Sequence, residues 1–238
     1  MSDQFNKNRP SRIITSNQTG IHHNLAHILE KHITHDFLKS ESQHTVNAFR
    51  EIEKEVLPLN RPLIFDSGCG VGESTLVLAL QFPEHIIIGI DKSAHRLQKN
   101  VHYRLDLAAN YRLVRADLYD FWRLAVREHW PVDKHFIFYP NPWPLKKDLK
   151  KRFHGHPVFP QLLLLGNTIE LRSNWLIYLQ EFAFAYRYIT GKTVVIEAFT
   201  PVVPETPFER KYLQSGHYLY RLVIDNLNFT NRSLKLHF

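Results

Sequence analysis

The chain has 238 residues, 44% hydrophobic and 22% charged, and its 30 Lys and Arg outnumber 23 Asp and Glu for a formal net charge of +7. That length accommodates one sizeable α/β domain and is too short for two comfortable ones, while the single cysteine, Cys69, excludes an internal disulfide and fits a reducing cytoplasm. No run approaches the roughly 18 apolar residues that cross a bilayer, Met1–Ser11 carries no apolar signal core, and the cationic excess points to a polyanionic partner rather than a membrane.

Residues 1 to about 15 are polar and read as a frayed terminus. From Ile21 to Val56 the apolar residues recur at helical spacing, with Leu25, Ile28, Leu29, Ile33, Phe37, Val46, Phe49, Ile52 and Val56 as candidate core positions. Residues 1–57 therefore read as a polar, His-rich helical extension ahead of a domain at 58–238. His23 and His27 fall one helical turn apart, but no nearby Cys or acid completes a metal set. No metal is expected, and these histidines read as surface or RNA-facing.

After Pro58 strand and helix patterns alternate. Strands are predicted near 62–66, 86–90, 111–115, 134–139, 167–172, 193–199 and 218–224, and helices near 72–82, 92–107, 117–129, 157–165 and 174–189. The segment 200–209 is irregular and contains Pro, so the last strand is predicted to return antiparallel near the edge of a doubly wound, mostly parallel seven-stranded sheet. Ligands of such sheets sit outside the carboxyl ends of the strands, near the switch in strand order. Four stretches of interest fall there: Asp66–Gly72, Asp91, Asp117 and Tyr139–Pro144.

In the first, Leu63-Ile64-Phe65 stops at Asp66, and Gly68, Gly70 and Gly72 at alternate positions lead into a helical pattern. A strand, a glycine turn and a helix make a nucleotide-type cofactor site, because side chains there would block approach of the ligand to the backbone. Asp91, 19 residues after Gly72, ends the next strand, where a carboxylate can accept hydrogen bonds from two ribose hydroxyls. The G-x-G-x-G spacing, with an acid two residues before the first glycine, resembles the first motif of S-adenosylmethionine (SAM) methyltransferases more than a dinucleotide fingerprint. Cys69 reads as a small residue beside the cofactor rather than a nucleophile. Asp117 is placed to accept from an adenine amino group, to cap the helix that begins there, or both.

Asn141-Pro142-Trp143-Pro144 is a rigid loop, since two prolines fix φ on either side of an aromatic ring. It fits imperfectly the Asn/Asp-Pro-Pro-aromatic loop of amino-group methyltransferases, with Trp143 in place of the second proline. The cations Lys146, Lys147, Lys150, Lys151 and Arg152 follow directly, with Asp148 among them, and read as phosphate contacts.

The run Phe138-Tyr139-Pro140-Asn141-Pro142-Trp143-Pro144 with its basic tail resembles the tRNA (guanine-N7)-methyltransferases, which carry an aromatic strand end, Asp-Pro-Trp-Pro and a basic stretch. The resemblance continues through Ile169–Trp175, through Thr206-Pro207-Phe208-Glu209-Arg210-Lys211 and through Gly216–Leu222, covering roughly 60–224 in the same order. It implies a Rossmann-like class I SAM methyltransferase of α/β class that forms 7-methylguanosine in tRNA. On that likeness Asp66, Gly68, Gly70, Gly72, Asp91 and Asp117 would hold SAM. Asn141 would occupy the catalytic position, Asn174 a substrate position, and Thr206, Pro207, Phe208 and Glu209 would bind the target guanosine. The chain departs from the family at Asn141 and Asn174, both Asp there, and at Leu145, a Lys there. A carboxylate accepts from both N1–H and the 2-amino group of guanine, whereas Asn offers one acceptor and one donor, so that grip passes to Glu209 or is lost. The sequence leaves open a catalytically degenerate relative that binds SAM or RNA, and a methyltransferase with a changed target. A monomer or homodimer is expected.

Overall fold

The computed structural model describes residues 10–99 and 108–226. Seven strands form one sheet: β1 (Leu63–Ser67), β2 (Ile86–Asp91), β3 (Tyr111–Arg115), β4 (Val132–Phe138), β5 (Thr168–Ser173), β6 (Ile196–Phe199) and β7 (Leu219–Asp225). Their spatial order is β3-β2-β1-β4-β5-β7-β6. The first five run parallel, and β7 is antiparallel to both β5 and β6, as the sequence predicted. From β1 the chain winds outward through β2 and β3, then returns to place β4 on the other side of β1. The switch in strand order therefore lies between β1 and β4, and a crevice opens at their carboxyl ends.

Side chains alternate across a strand, so each central strand feeds two cores. Phe65, Ile86, Ile88 and Ile90 enter a core with Phe121, Trp122, Tyr178 and Phe182 on one face. Ile64 and Ile87 enter a second core with Leu78, Phe136 and Phe138 on the other. β1 and β2 are buried at every position, the continuous apolar reading of strands covered on both sides. Gly89 marks the tightest approach. A Cβ there would lie 2.4 Å from Thr75 Oγ1 and 2.7 Å from Leu113 Cδ2, so the helix α3 (Glu73–Gln81) rides directly on the strand.

The region 21–56, predicted as one helical stretch, is two helices: α1 (Leu25–Thr34) and α2 (Gln43–Val56), joined by an extended segment. Ser42 caps α2 by accepting from the Thr45 N–H, so the break coincides with a cap that competes with helix continuation. Phe37 falls in the connection. Leu25, Leu29, Phe49, Ile52 and Val56 nevertheless join the main core. The N-terminal helices pack on α7 (Leu176–Thr190), α5 (Leu118–Arg127) and β3. Residues 10–15, predicted to belong to a frayed terminus, lie in a segment tied to the rest of the fold. Ser11 N–H donates to Ser215 Oγ, and Ser16 Oγ–H donates to the Pro144 carbonyl; residues 1–9 lie outside the described residues.

Two further helices differ from expectation. The predicted helix at 92–107 contains α4 (Ala94–Leu97), and its span 100–107 lies outside the described residues; that at 157–165 is reduced to α6 (Phe159–Leu162). The segment predicted to be irregular to 209 instead begins α8 (Pro207–Gln214), with Thr206 as N-cap accepting from the Glu209 N–H and Pro207 in its first turn. Among the described residues no helix is long and apolar enough to cross a membrane.

Candidate active site

β1 ends in a turn whose three glycines all have positive φ: 81° at Gly68, 62° at Gly70 and 78° at Gly72. These left-handed values fold the turn over the end of β2, where the Gly68 and Cys69 N–H groups both donate to the Ile90 carbonyl, at 2.8 and 3.1 Å. A Cβ at Gly70 would meet nothing within 4 Å, and one at Gly68 only Leu118 Cδ1 at 4.0 Å. The glycines thus leave open space in front of bare backbone. Gly72 is the N-cap of α3.

Asp66 lies beneath this turn rather than in front of it. It is buried, and its Oδ2 accepts from Ser74 Oγ at 2.7 Å and Thr75 Oγ1 at 2.6 Å, tying the first turn of α3 to β1. Burial pushes its carboxyl up to about 6, against the lowering effect of the two hydroxyls. Burial also pushes the Cys69 thiol up, which leaves it protonated and unsuited to nucleophilic attack.

A cavity of about 380 Å3 opens where the strands end. One wall is formed by Ser67, Gly68, Asp91 and Asp117, and the other by Asn141, Trp143, Phe208 and Tyr212. The carboxylate of Asp91 accepts from the Gly70 N–H (3.0 Å) and the Ser93 N–H (2.8 Å), which fixes its orientation. Arg96 approaches it at 3.2 Å from a half-exposed side chain, an ion pair worth little and easily displaced. Asp117 accepts from the Tyr119 and Asp120 N–H groups with Oδ1, capping α5, and its Oδ2 has no hydrogen-bond partner among the described residues. Its own N–H donates to Thr45 Oγ1 of α2 at 3.0 Å. The residues present therefore fit a nucleoside-bearing cofactor: bare glycine backbone, an oriented carboxylate at the ends of β2 and β3, and open volume between them.

The acceptor wall is the loop after β4. Tyr139 (φ 51°) and Trp143 (φ 45°) are both left-handed, a conformation that costs non-glycine residues of the order of 1–3 kcal/mol. The surroundings hold them there. Tyr139 N–H donates to the Arg172 carbonyl, and Tyr139 Oη–H donates to Glu209 Oε1 at 2.6 Å. Asn141 Oδ1 accepts from the Trp143 N–H at 3.3 Å, and Arg152 donates to the Trp143 and Leu145 carbonyls.

Arg152 is thereby removed from the phosphate-contacting set. It is wholly buried, paired to Glu181 of α7, bonded to Gln18, and lies over the Trp175 ring at 4.9 Å. Burial alone would raise the Glu181 carboxyl, but the His154 hydrogen bond and the charges of His154 and Arg152 hold it at about 2. Lys146, Lys147 and Lys150 are exposed. Lys151 pairs with Asp148 at 2.9 Å, lies 4.5 Å from the Trp143 ring centre, and lines the cavity.

The downstream motif is divided by the fold. Phe208 lines the cavity and is half exposed, whereas Thr206 caps α8. Glu209 is wholly buried, with its carboxylate taken by Tyr139, Arg172 and the Glu205 N–H. It cannot take over the guanine grip from Asn141, because no edge of it reaches the cavity. Asn174 also lies outside the cavity lining and donates from Nδ2 to His217 Nδ1 at 3.0 Å. The Thr206-x-x-Glu209 spacing is a capping-box pattern, a signal in the sequence that would have found both this helix and the structural duty of Glu209. Glu181 and Arg172 had no comparable local signal. Ser67 was missed as well: Trp122 Nε1–H donates to its Oγ at 3.0 Å and His135 Nε2 lies 2.8 Å away, which sets its orientation at the cavity wall.

Residues 60–222 match a protein family described as putative methyltransferase. A tRNA (guanine-N(7)-)-methyltransferase of Neisseria meningitidis serogroup C (strain 053442) is 27% identical over 177 residues, covering 71% of this chain and 73% of that one. A protein of the same name from Halorhodospira halophila (strain DSM 244 / SL1) is 28% identical over 179 residues, covering 68% and 74%. Among solved structures, one described as an antibiotic-related methyltransferase superposes with a TM-score of 0.53 at 14% identity, over 82% of this chain and 98% of that one, a likeness of fold alone. The family match runs from just before β1 into β7 and takes in the glycine turn, both cavity walls and the buried supports beneath them; the chain belongs to this family of methyltransferases.

Proposed function

We propose that the protein is a SAM-dependent tRNA methyltransferase that forms 7-methylguanosine. The observation that carries the reading is the single cavity in which Gly68, Asp91 and Asp117 face Asn141, Trp143 and Phe208. Similarity to proteins named tRNA (guanine-N(7)-)-methyltransferase supports the choice of substrate.

When bound, SAM supplies a methyl group on a positively charged sulfur. Gly68 and Gly70 would leave its path to the backbone clear, Asp91 would accept from its ribose hydroxyls in place of Arg96, and Asp117 would accept from its adenine amino group. Guanine N7 carries a lone pair and no proton, so no residue has to act as a general base. The chain's task is alignment of donor and acceptor. Asn141 has committed Oδ1 to the Trp143 N–H, which leaves the two N–H donors of Nδ2 for a carbonyl of the base. Trp143, Phe208 and Tyr212 offer rings against which a base can stack. The exposed Lys146, Lys147 and Lys150 would meet phosphates.

The acidic side chains lining the cavity, Asp91 and Asp117, both stand on the cofactor side. That favours a second reading in which the target is a base other than guanine, since among the described residues no carboxylate on the acceptor side can grip the Watson–Crick edge of guanine. Incubating the purified protein with labelled SAM and tRNA from a strain lacking its gene, then mapping nucleosides by mass spectrometry, separates the two. 7-Methylguanosine is the expected product. A methyl group on another atom would favour the second reading, and SAM binding with unmodified RNA would overturn both.

A further inference from the structure

A second cavity, of about 530 Å3, lies outside the active site on the His-rich helix. Leu25 and Leu29 of α1 are buried in the main core, and Tyr188 Oη–H of α7 donates to Glu30, so the helix is fixed in orientation. Its opposite stripe, Asn24, His27 and Lys31, spaced three to four residues apart, faces the cavity. Lys150 stands on the far wall. His32 also lines the cavity, and its buried Nδ1 has no hydrogen-bond partner among the described residues. The acid of the lining is Asp36, and neither Lys31 nor Lys150 forms an ion pair among the described residues.

Lys150 and Lys151 are consecutive in one 3-10 turn, Lys146–Lys151, yet they line different cavities: Lys150 this one and Lys151 the active site. Lys146 and Lys147, exposed on the same turn, add to its positive charge. We propose that the α1 cavity is a second RNA site, which takes a backbone phosphate of the same RNA whose base enters the active site. Lys31 and Lys150 supply the charge, and Asn24, His27 and His32 the hydrogen bonds. Phosphate contacts of this kind position an RNA without reading its sequence, and they register as salt-dependent affinity. The inference rests on the RNA-methylating reading and extends it to the path of the strand.

The test is tRNA binding by fluorescence anisotropy across a salt series, for the wild-type chain, a Lys31→Ala/Lys150→Ala double variant and a Lys54→Ala control on α2. The double variant is expected to bind about tenfold more weakly near 0.15 M salt, with a log–log salt slope shallower by roughly one to two. Its KM for tRNA should rise while SAM affinity stays unchanged, and the control should match the wild type. Lys31→Glu/Lys150→Glu should weaken binding further. If the wild type methylates tRNA and the double variant keeps its affinity, slope and KM, the α1 site is refuted while the functional reading stands. If the wild type neither binds nor methylates tRNA, both fall.

Discussion

The two walls of the active-site cavity are built by different means. On the β1–β3 side the supports are mostly local, the bond from the Asp117 N–H to Thr45 of α2 apart. The glycine turn bonds to Ile90, Gly70 to Asp91, and Asp117 to the first turn of its own helix, all within or between adjacent strand ends. On the β4 side the loop carries two strained residues and is held by groups far away in the chain. Arg152 joins it to Glu181 and Gln18, Glu209 holds Tyr139 from α8, and Ser16 reaches the Pro144 carbonyl from the N-terminal segment. The cofactor wall therefore depends on backbone geometry, and the acceptor wall on buried ion pairs. Damage to the two should accordingly have different symptoms.

The largest effect is expected at the acceptor wall. Glu181→Gln leaves the Arg152 charge buried without its partner, so stability to denaturant should fall by about 3–5 kcal/mol. The same carboxylate makes the wild type acid-sensitive. Its folded value of about 2 lies below the ordinary 4.5, so its contribution is present above pH 4.5 and lost as pH falls from there through 2. The Glu181→Gln variant should lack that part of the acid slope in a melting series, and an unchanged slope would move the acid sensitivity elsewhere.

Next comes Asp91→Ala, which removes the oriented acceptor for two hydroxyls and should weaken SAM binding about a hundredfold or more by calorimetry. Unchanged affinity would mean that the cofactor sits elsewhere. A smaller effect is expected from Asn141→Asp, which restores a carboxylate at the cavity and should raise guanine-directed kcat/KM about tenfold if guanine is the target. Asn174→Asp should do little by comparison, because that side chain faces His217 outside the cavity. Equal gains from the two would contradict this division of the wall.

This asymmetry also decides what was legible beforehand. The alternation of strand and helix, the antiparallel return and the β1–β3 wall follow from patterns within single segments: continuous apolar strands, glycines at alternate positions, an acid at each strand end; the spatial order of the strands comes from the fold. The acceptor loop could be located by its prolines, but its supports could not. Arg152 belongs by sequence to a basic run, and only the fold reveals that its neighbours face solvent while it pairs with Glu181, 29 positions away. The resemblance places Glu209 at the substrate, whereas in the fold its carboxylate is spent on Tyr139, Arg172 and the Glu205 N–H. The break between α1 and α2 was masked by apolar spacing that continues through Phe37, although Ser42 was there to be read as a cap.

Gly89 gives the cofactor wall a dimension. With no side chain, it lets α3 settle against β2 at the distance fixed by Thr75, and Thr75 is one of the two hydroxyls that Asp66 holds. The height of the glycine turn above the strand ends is thus measured out from the middle of the neighbouring strand. One missing methyl group at Gly89, remote from any ligand, serves as the spacer against which the floor of the cavity is levelled.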